Sequence, residues 1–194
     1  MEPLAPRPDV MAFLATRRSR PAKTLTGPAP DRAALEPILR TALRVPDHGK
    51  LEPWRLIVLE GAALDRLAAL TEGLGARQGR DPDKLPKQRA MFADAPLMVA
   101  VVAAPVASEK IPEVEQVLSA GALCHNLVAA AQAAGWGANW LSGWMATDRD
   151  FLLDGLSLAR REFVAGFVVI GSETTVPTDR PRPDPAAKIA WLSE

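Results

Sequence analysis

The cations Arg17, Arg18, Arg20 and Lys23 crowd around one hydroxyl residue, Ser19. A guanidinium presents a planar fork of donors that matches phosphate oxygens, and a serine adds a short donor. At the end of a helix the same cations would offset the dipole instead. Spacing alone leaves both readings open. A second constellation is the turn Leu43 to Trp54, LRVPDHGKLEPW. Pro46 must break a helix there, Gly49 permits a tight turn and Pro53 fixes the approach to Trp54. Arg44 and His48 would project from it, unless it is an ordinary helix-to-strand loop around a packed tryptophan. In Gly135 to Trp144, GWGANWLSGW, three tryptophans stand among small residues. That pattern suits a flat apolar slot for a planar ring, or plain core packing. Near the end, DRPRPD sets Arg180 and Arg182 around Pro181. Alone it reads as a solvated linker; beside the N-terminal cations it would complete an anion site.

Other chemistries lack their residues. There is no GxSxG elbow, and Asp47 and His48 are adjacent, so their side chains diverge. There is no Walker loop, and Gly73, Gly75 and Gly79 miss the dinucleotide spacing and follow a helix. One cysteine, Cys124, excludes an intrachain disulfide, and two histidines make a zinc site improbable. Cys124 reads as a small core residue, and His125 as a core or interface residue. Glu115 and Gln116 are open to interface roles. No nucleophile or metal is evident, so an enzyme here would borrow its chemistry from a cofactor.

The totals narrow the class further. The 194 residues suit one domain, 1–194, with an extended tail from residue 172. The net charge is zero, which argues against a nucleic-acid binder, and no basic amphipathic face marks a membrane binder. Met1 to Val10 carries no secretory pattern. The most apolar stretch, Leu118 to Ala134, includes His125, Asn126 and Gln132 and reads as a buried helix, not a membrane span. The cytoplasm is the expected address.

The elements that must position these residues follow from periodicity. Helices are expected at Val10 to Arg18 with Met11, Leu14 and Ala15 as its apolar stripe, at Asp31 to about Arg44 with Asp31 as cap, and from Gly61 to about Leu74. Others are expected at Glu113 to Ala134, stopped by Gly135, and at Asp148 to Leu156. Strands are expected at Arg55 to Glu60, at the continuous apolar run Pro96 to Ala104, at Trp136 to Ser142 and at Phe163 to Gly171. Gly75 to Lys87 reads as a loop or a short helical excursion that could act as a lid. The tail from Thr174 is extended, and its Trp191 and Leu192 need a surface to cover. Strands with long helical connections give an α+β fold.

In order and spacing, RRSR, PDHGKLEPW, a long Ala-rich helix, GWGANWLSG, a buried VVIG strand and a tail with RPRP are similar to the nitroreductase family. The likeness is to its small bacterial members with a PDH turn, and runs from about Val10 to Trp191. It implies a nitroreductase-like fold with a central mixed sheet flanked by helices, and a homodimer with exchanged terminal segments. It also implies FMN at each subunit interface, reduced by NAD(P)H and reoxidised by a nitroaromatic, quinone or similar small-molecule acceptor in ping-pong fashion, with no catalytic side chain. By position it assigns FMN contacts to Arg17, Arg18, Ser19, Trp140, Leu141 and Ser142, and to Arg44 and His48 reaching flavin bound mainly by the other subunit. Ala130 to Gly135 aligns with a region that meets the nicotinamide nucleotide. Close relatives carry arginine where Leu141 stands, so Arg182 is the expected replacement for a lost phosphate contact. Rival readings are dehalogenation, enoyl reduction or flavin fragmentation on the same fold, a non-enzymatic module for a phosphate-bearing ligand, or an interaction domain.

Overall fold

The computed structural model describes residues 3–193. Its centre is a strand buried on both faces, β3 (Met98–Ala103). Alternate residues of a strand point to opposite faces. Met98, Ala100 and Val102 therefore enter one core and Val99 and Val101 the other. The first core is closed by α3 (Ala62–Arg77), α4 (Leu85–Ala93) and α6 (Arg149–Leu156), through Leu64, Leu67, Phe92, Phe151 and Leu152. The second is closed by α2 (Arg32–Ala42) and α5 (Glu113–Ala133), through Leu35, Ile38, Leu123, Leu127 and Val128. Cys124 is buried in this second core, and burial pushes its thiol up to about 12. A thiol held neutral at physiological pH is a packing residue.

The sheet runs β1 (Leu25–Thr26), β5 (Phe163–Glu173), β3, β2 (Trp54–Leu59), with β4 (Gly137–Leu141) also paired to β5. The α+β class holds, but where a mixed sheet was expected every pairing is antiparallel. The reason is the route of α5. It carries the chain from β3 to β4 as a crossover between strands that run the same way, and β5 inserts between them in the opposite sense.

Caps set the helix starts. Asp31 accepts from the Ala34 N–H at 2.8 Å and Asp148 from the Phe151 N–H at 3.0 Å. The end of α5 is set by Gly135, whose φ of 87° favours glycine. Three segments differ from the sequence expectation. The first helix, α1 (Pro8–Thr16), ends before the basic cluster and buries none of its residues; Met11 is 67% exposed. Its stripe thus has no partner within one chain. Second, α3 runs on through Gly73 and Gly75, because the missing Cβ at Gly75 admits the Leu85 side chain of α4. The third is α4 itself, which has little apolar periodicity and was not separable from loop.

The candidate lid is latched to the body. The Arg80 guanidinium lies 3.9 Å from the centre of the Trp144 ring and 2.9 Å from the Asp148 carboxylate. Trp144 in turn donates to the Gln88 side-chain oxygen Oε1 at 2.8 Å. Beyond Thr174 the tail is exposed apart from half-buried Pro177, with Trp191 89% and Leu192 91% accessible.

One ion pair ties the start of β2 to the start of β5. Arg55 donates to both oxygens of Glu162, at 2.7 and 2.9 Å, and Glu162 also accepts from the Ala159 N–H at 2.8 Å. The Arg55 hydrogen bonds hold the Glu162 carboxyl below its usual range, against the opposing effect of burial. A carboxylate lowered in the folded state contributes stability above its unfolded pKa, about 4.3. That contribution fades as pH falls through the folded value. Glu162→Gln is expected to cost about 1–2 kcal/mol at pH 7, allowing for the solvent exposure of Arg55. Its denaturation profile should also be flatter than the wild type's below pH 5, as followed by urea unfolding across pH.

Candidate functional site

The basic segment after α1 is held in an extended conformation, beginning with Arg17 at φ −58° and ψ 144°. It lies along β4 and the end of α5. The Arg20 N–H donates to the Ala138 carbonyl at 2.9 Å, and the Asn139 side chain donates back to the Arg20 carbonyl at 2.6 Å. Gln132 of α5 donates to the Arg18 carbonyl at 2.6 Å and accepts from Arg17 Nε at 3.3 Å. The last turn of α1 holds no basic residue, and Arg17 stands at its C-cap.

A cavity of about 530 Å³ opens over this segment. Its lining brings together Arg17, Arg18, Ser19, Trp140, Arg180 and Arg182 from the sequence expectation, and adds Pro21 and Asn139. Small-molecule sites usually measure roughly 300–1,000 Å³. Trp140 is 41% exposed, donates to the Ala165 carbonyl at 3.3 Å, and lies against Gly166, where any Cβ would meet its ring. The glycine thus lets the indole lie flat beside the cleft. A second hollow, about 580 Å³ between α3 and α4, lacks the cation cluster; its Arg89 is paired with Glu72 at 3.3 Å.

Charge in the first cleft is unevenly spent. Arg20 faces away and sits 2.9 Å from Glu173 Oε2. Arg182 pairs with Asp179 at 3.0 Å. The Asp179 carboxyl is held below its usual range by the Arg180 N–H, by the charge of Arg182 and, further off, by that of Arg18. In contrast, Nε and Nη1 of Arg18 are buried with no hydrogen-bond partner. A buried charged donor without a partner is costly, by about 1–3 kcal/mol or more. An incoming phosphate would remove that cost. Tail arginines and N-terminal arginines meet here within one chain.

The remaining expected residues lie elsewhere. Leu141 packs half-buried on the first core and Ser142 is exposed; neither lines the cleft. Arg44 and His48 also lie outside it, on the exposed turn after α2. There Asp47 accepts from the N–H groups of Leu51 and Glu52, Gly49 takes φ 72°, and Ser119 donates to the Pro46 carbonyl at 2.6 Å. His48 Nδ1 is 2.7 Å from Glu115 Oε2. His125, expected in a core or interface, is exposed on α5. Among the described residues no cluster of His, Cys, Asp or Glu could hold a metal, and no helix is long and apolar enough to cross a membrane. Asn139 and Gln132 were missed as site residues, since a lone amide in an apolar run gives no spacing signal.

Layered helices on an antiparallel sheet, with a cationic cleft at the start of the chain, define an anion-binding α+β protein. More narrowly, the chain belongs to the nitroreductase family, whose model matches residues 14–172. It is 32% identical over 185 residues to the Escherichia coli protein named "Putative NAD(P)H nitroreductase YdjA", covering 95% of this chain and all of that one. A Haemophilus influenzae protein with the same name apart from its suffix is 36% identical over 167 residues, covering 84% of this chain and 88% of that one. Among solved structures, a Bacteroides fragilis nitroreductase with bound FMN superposes with a TM-score of 0.74 at 18% identity, covering 95% and 99% of the two chains.

Proposed function

We propose that this protein is an FMN-dependent oxidoreductase taking electrons from NAD(P)H and yielding them, in a separate half-reaction, to nitroaromatic, quinone or similar acceptors. The observation that carries this reading is half-buried Arg18, whose Nε and Nη1 are buried without partners, in a cleft shared with Arg17, Ser19, Arg180 and Arg182. Those groups fit a phosphate monoester: two arginine forks, a hydroxyl and tail cations within reach. The names of the Escherichia coli and Haemophilus influenzae relatives, and the FMN in the Bacteroides fragilis structure, point the same way.

FMN, when bound, supplies the hydride chemistry at its ring system. The chain's residues hold and orient it. Arg17, Arg18 and Ser19 would hold the phosphate, Trp140 would flank the ring system, and the cations near the cleft would favour negative charge on the ligand. No side chain of the cleft is needed as acid or base, because protons for such acceptors can come from water.

The functional unit in this reading is a homodimer. Met11 and Leu14 of α1, Val114 and Leu118 of α5, and Trp191 and Leu192 of the tail are exposed together with the PDH turn. A second copy would cover them, and Arg44 and His48 would serve its cleft. Leu141 and Ser142 would act from the end of β4, past Trp140. Arg182 replaces the phosphate contact that Leu141 lacks, so Arg182→Ala is expected to weaken FMN binding about tenfold. Unchanged affinity in fluorescence titration would remove that role.

The overall reading is tested by an absorbance spectrum of the purified protein, taken anaerobically before and after NADH and NADPH. Flavin bands that bleach with either nucleotide and return with an acceptor are expected. A colourless protein that takes up no FMN contradicts the reading, and a yellow one inert to both nucleotides leaves only a binding module.

A further inference from the structure

Among the described residues Gln132 is the one side chain of α5 that hydrogen-bonds the basic segment, and it does so with both ends of its carboxamide. Its oxygen accepts from Arg17 Nε at 3.3 Å, and its nitrogen donates to the Arg18 carbonyl at 2.6 Å. These partners lie more than a hundred positions away in sequence. Around it the helix offers Ala129, Ala130, Ala131, Ala133 and Ala134, so the extended segment can lie close. A carboxamide supplies an acceptor for the guanidinium and a donor for the carbonyl from separate atoms of one side chain. The sequence resemblance aligned this stretch with a nucleotide contact. The Gln132 carboxamide of this stretch faces Arg17 and Arg18.

We infer that Gln132 is a positioning residue that sets the preference for a phosphorylated ligand, by fixing the Arg17 guanidinium and the Arg18 backbone. The inference rests on the proposed flavin phosphate site. With Arg18 anchored at its carbonyl, its Nε and Nη1 stay aimed inward without partners. With Arg17 Nε engaged, the rest of its fork is left for the ligand. Asn139, which docks the Arg20 carbonyl at 2.6 Å, holds the following turn of the same segment. Neither amide needs to touch the ring of the ligand for this effect. Removing Gln132 should therefore weaken recognition of the phosphate and spare recognition of the ring.

The test compares FMN with riboflavin, which lacks the phosphate, by fluorescence titration of the full chain. Wild type is expected to bind FMN at least about thirtyfold tighter than riboflavin. Gln132→Met, close in shape and without either hydrogen bond, should lower FMN affinity about tenfold while riboflavin affinity changes less than twofold. Gln132→Glu keeps the acceptor, loses the donor and adds a negative charge near the phosphate. It should lose FMN at least as severely and again spare riboflavin, and it keeps the test available should the Met variant fail to fold. Equal losses for both ligands would mean a merely structural role, and no loss for either would mean none; both overturn the inference. A wild type without preference for FMN overturns the phosphate site itself, and this inference with it.

Discussion

Arg18→Ala is expected to weaken FMN binding by about 3 kcal/mol, roughly a hundredfold, the largest effect of any single substitution in the cleft. Its guanidinium carries two buried donor atoms without partners in the free chain. Each charge-assisted hydrogen bond they form is worth about 1.5–3 kcal/mol. Removing the side chain also removes a desolvated charge, so the free protein should lose no stability and could gain some. That combination separates a ligand-binding arginine from a structural one, whose loss lowers both. Arg18→Lys should recover only part of the affinity, because a point charge lacks the planar fork. The measurements are flavin titration and urea unfolding without ligand. A variant that binds FMN as wild type does would remove Arg18 from the site.

Leu118→Glu should convert the dimer to monomer and with it lower FMN retention. Leu118 is 67% exposed on α5 and Val114, one turn earlier, 61%. His125 is exposed further along the same helix. A stable subunit interface buries of order 2,000 Å² with a largely apolar centre. A carboxylate placed there would have to be desolvated without a partner, at several kcal/mol per copy. Sedimentation should show dimer for wild type and monomer for the variant at micromolar concentration. Wild-type monomer that holds FMN would contradict the shared-site reading, in which Arg44 and His48 act on the cleft of a second copy.

The frame was legible wherever burial imposes a period. The run at Met98–Ala103 reads as a strand buried on both faces because it feeds two cores, and Asp31 and Asp148 announce their helices by capping them. The basic segment stood out as four cations around a serine, but its spacing alone left the phosphate and helix-dipole readings open. What stayed hidden depends on contacts between distant residues. Helix α4 buries Leu85 and Phe92 but has almost no apolar face, and β1 is two residues long. Gln132 is an unremarked amide until β4 and the segment at Arg17 come beside it. The alternation of strand directions could not be read either, since it depends on β5, the last strand, entering between two earlier ones.

The tail teaches a related lesson. Arg180 and Arg182 read alone as a solvated linker, and the structure brings both to the same cleft as Arg17 and Arg18. Asp179 accompanies them and partly neutralises Arg182. The local charge therefore cannot be counted from the basic motif alone.

The central claim is that a flavin phosphate is held by Arg18 and its neighbours at the start of the chain. A crystal structure of the protein reconstituted with FMN tests it most directly. The account predicts phosphate oxygens about 3 Å from the Arg18 guanidinium and the Ser19 hydroxyl, with the ring system beside Trp140. FMN bound with its phosphate away from Arg17 and Arg18, or with Arg18 still unpartnered, would contradict it.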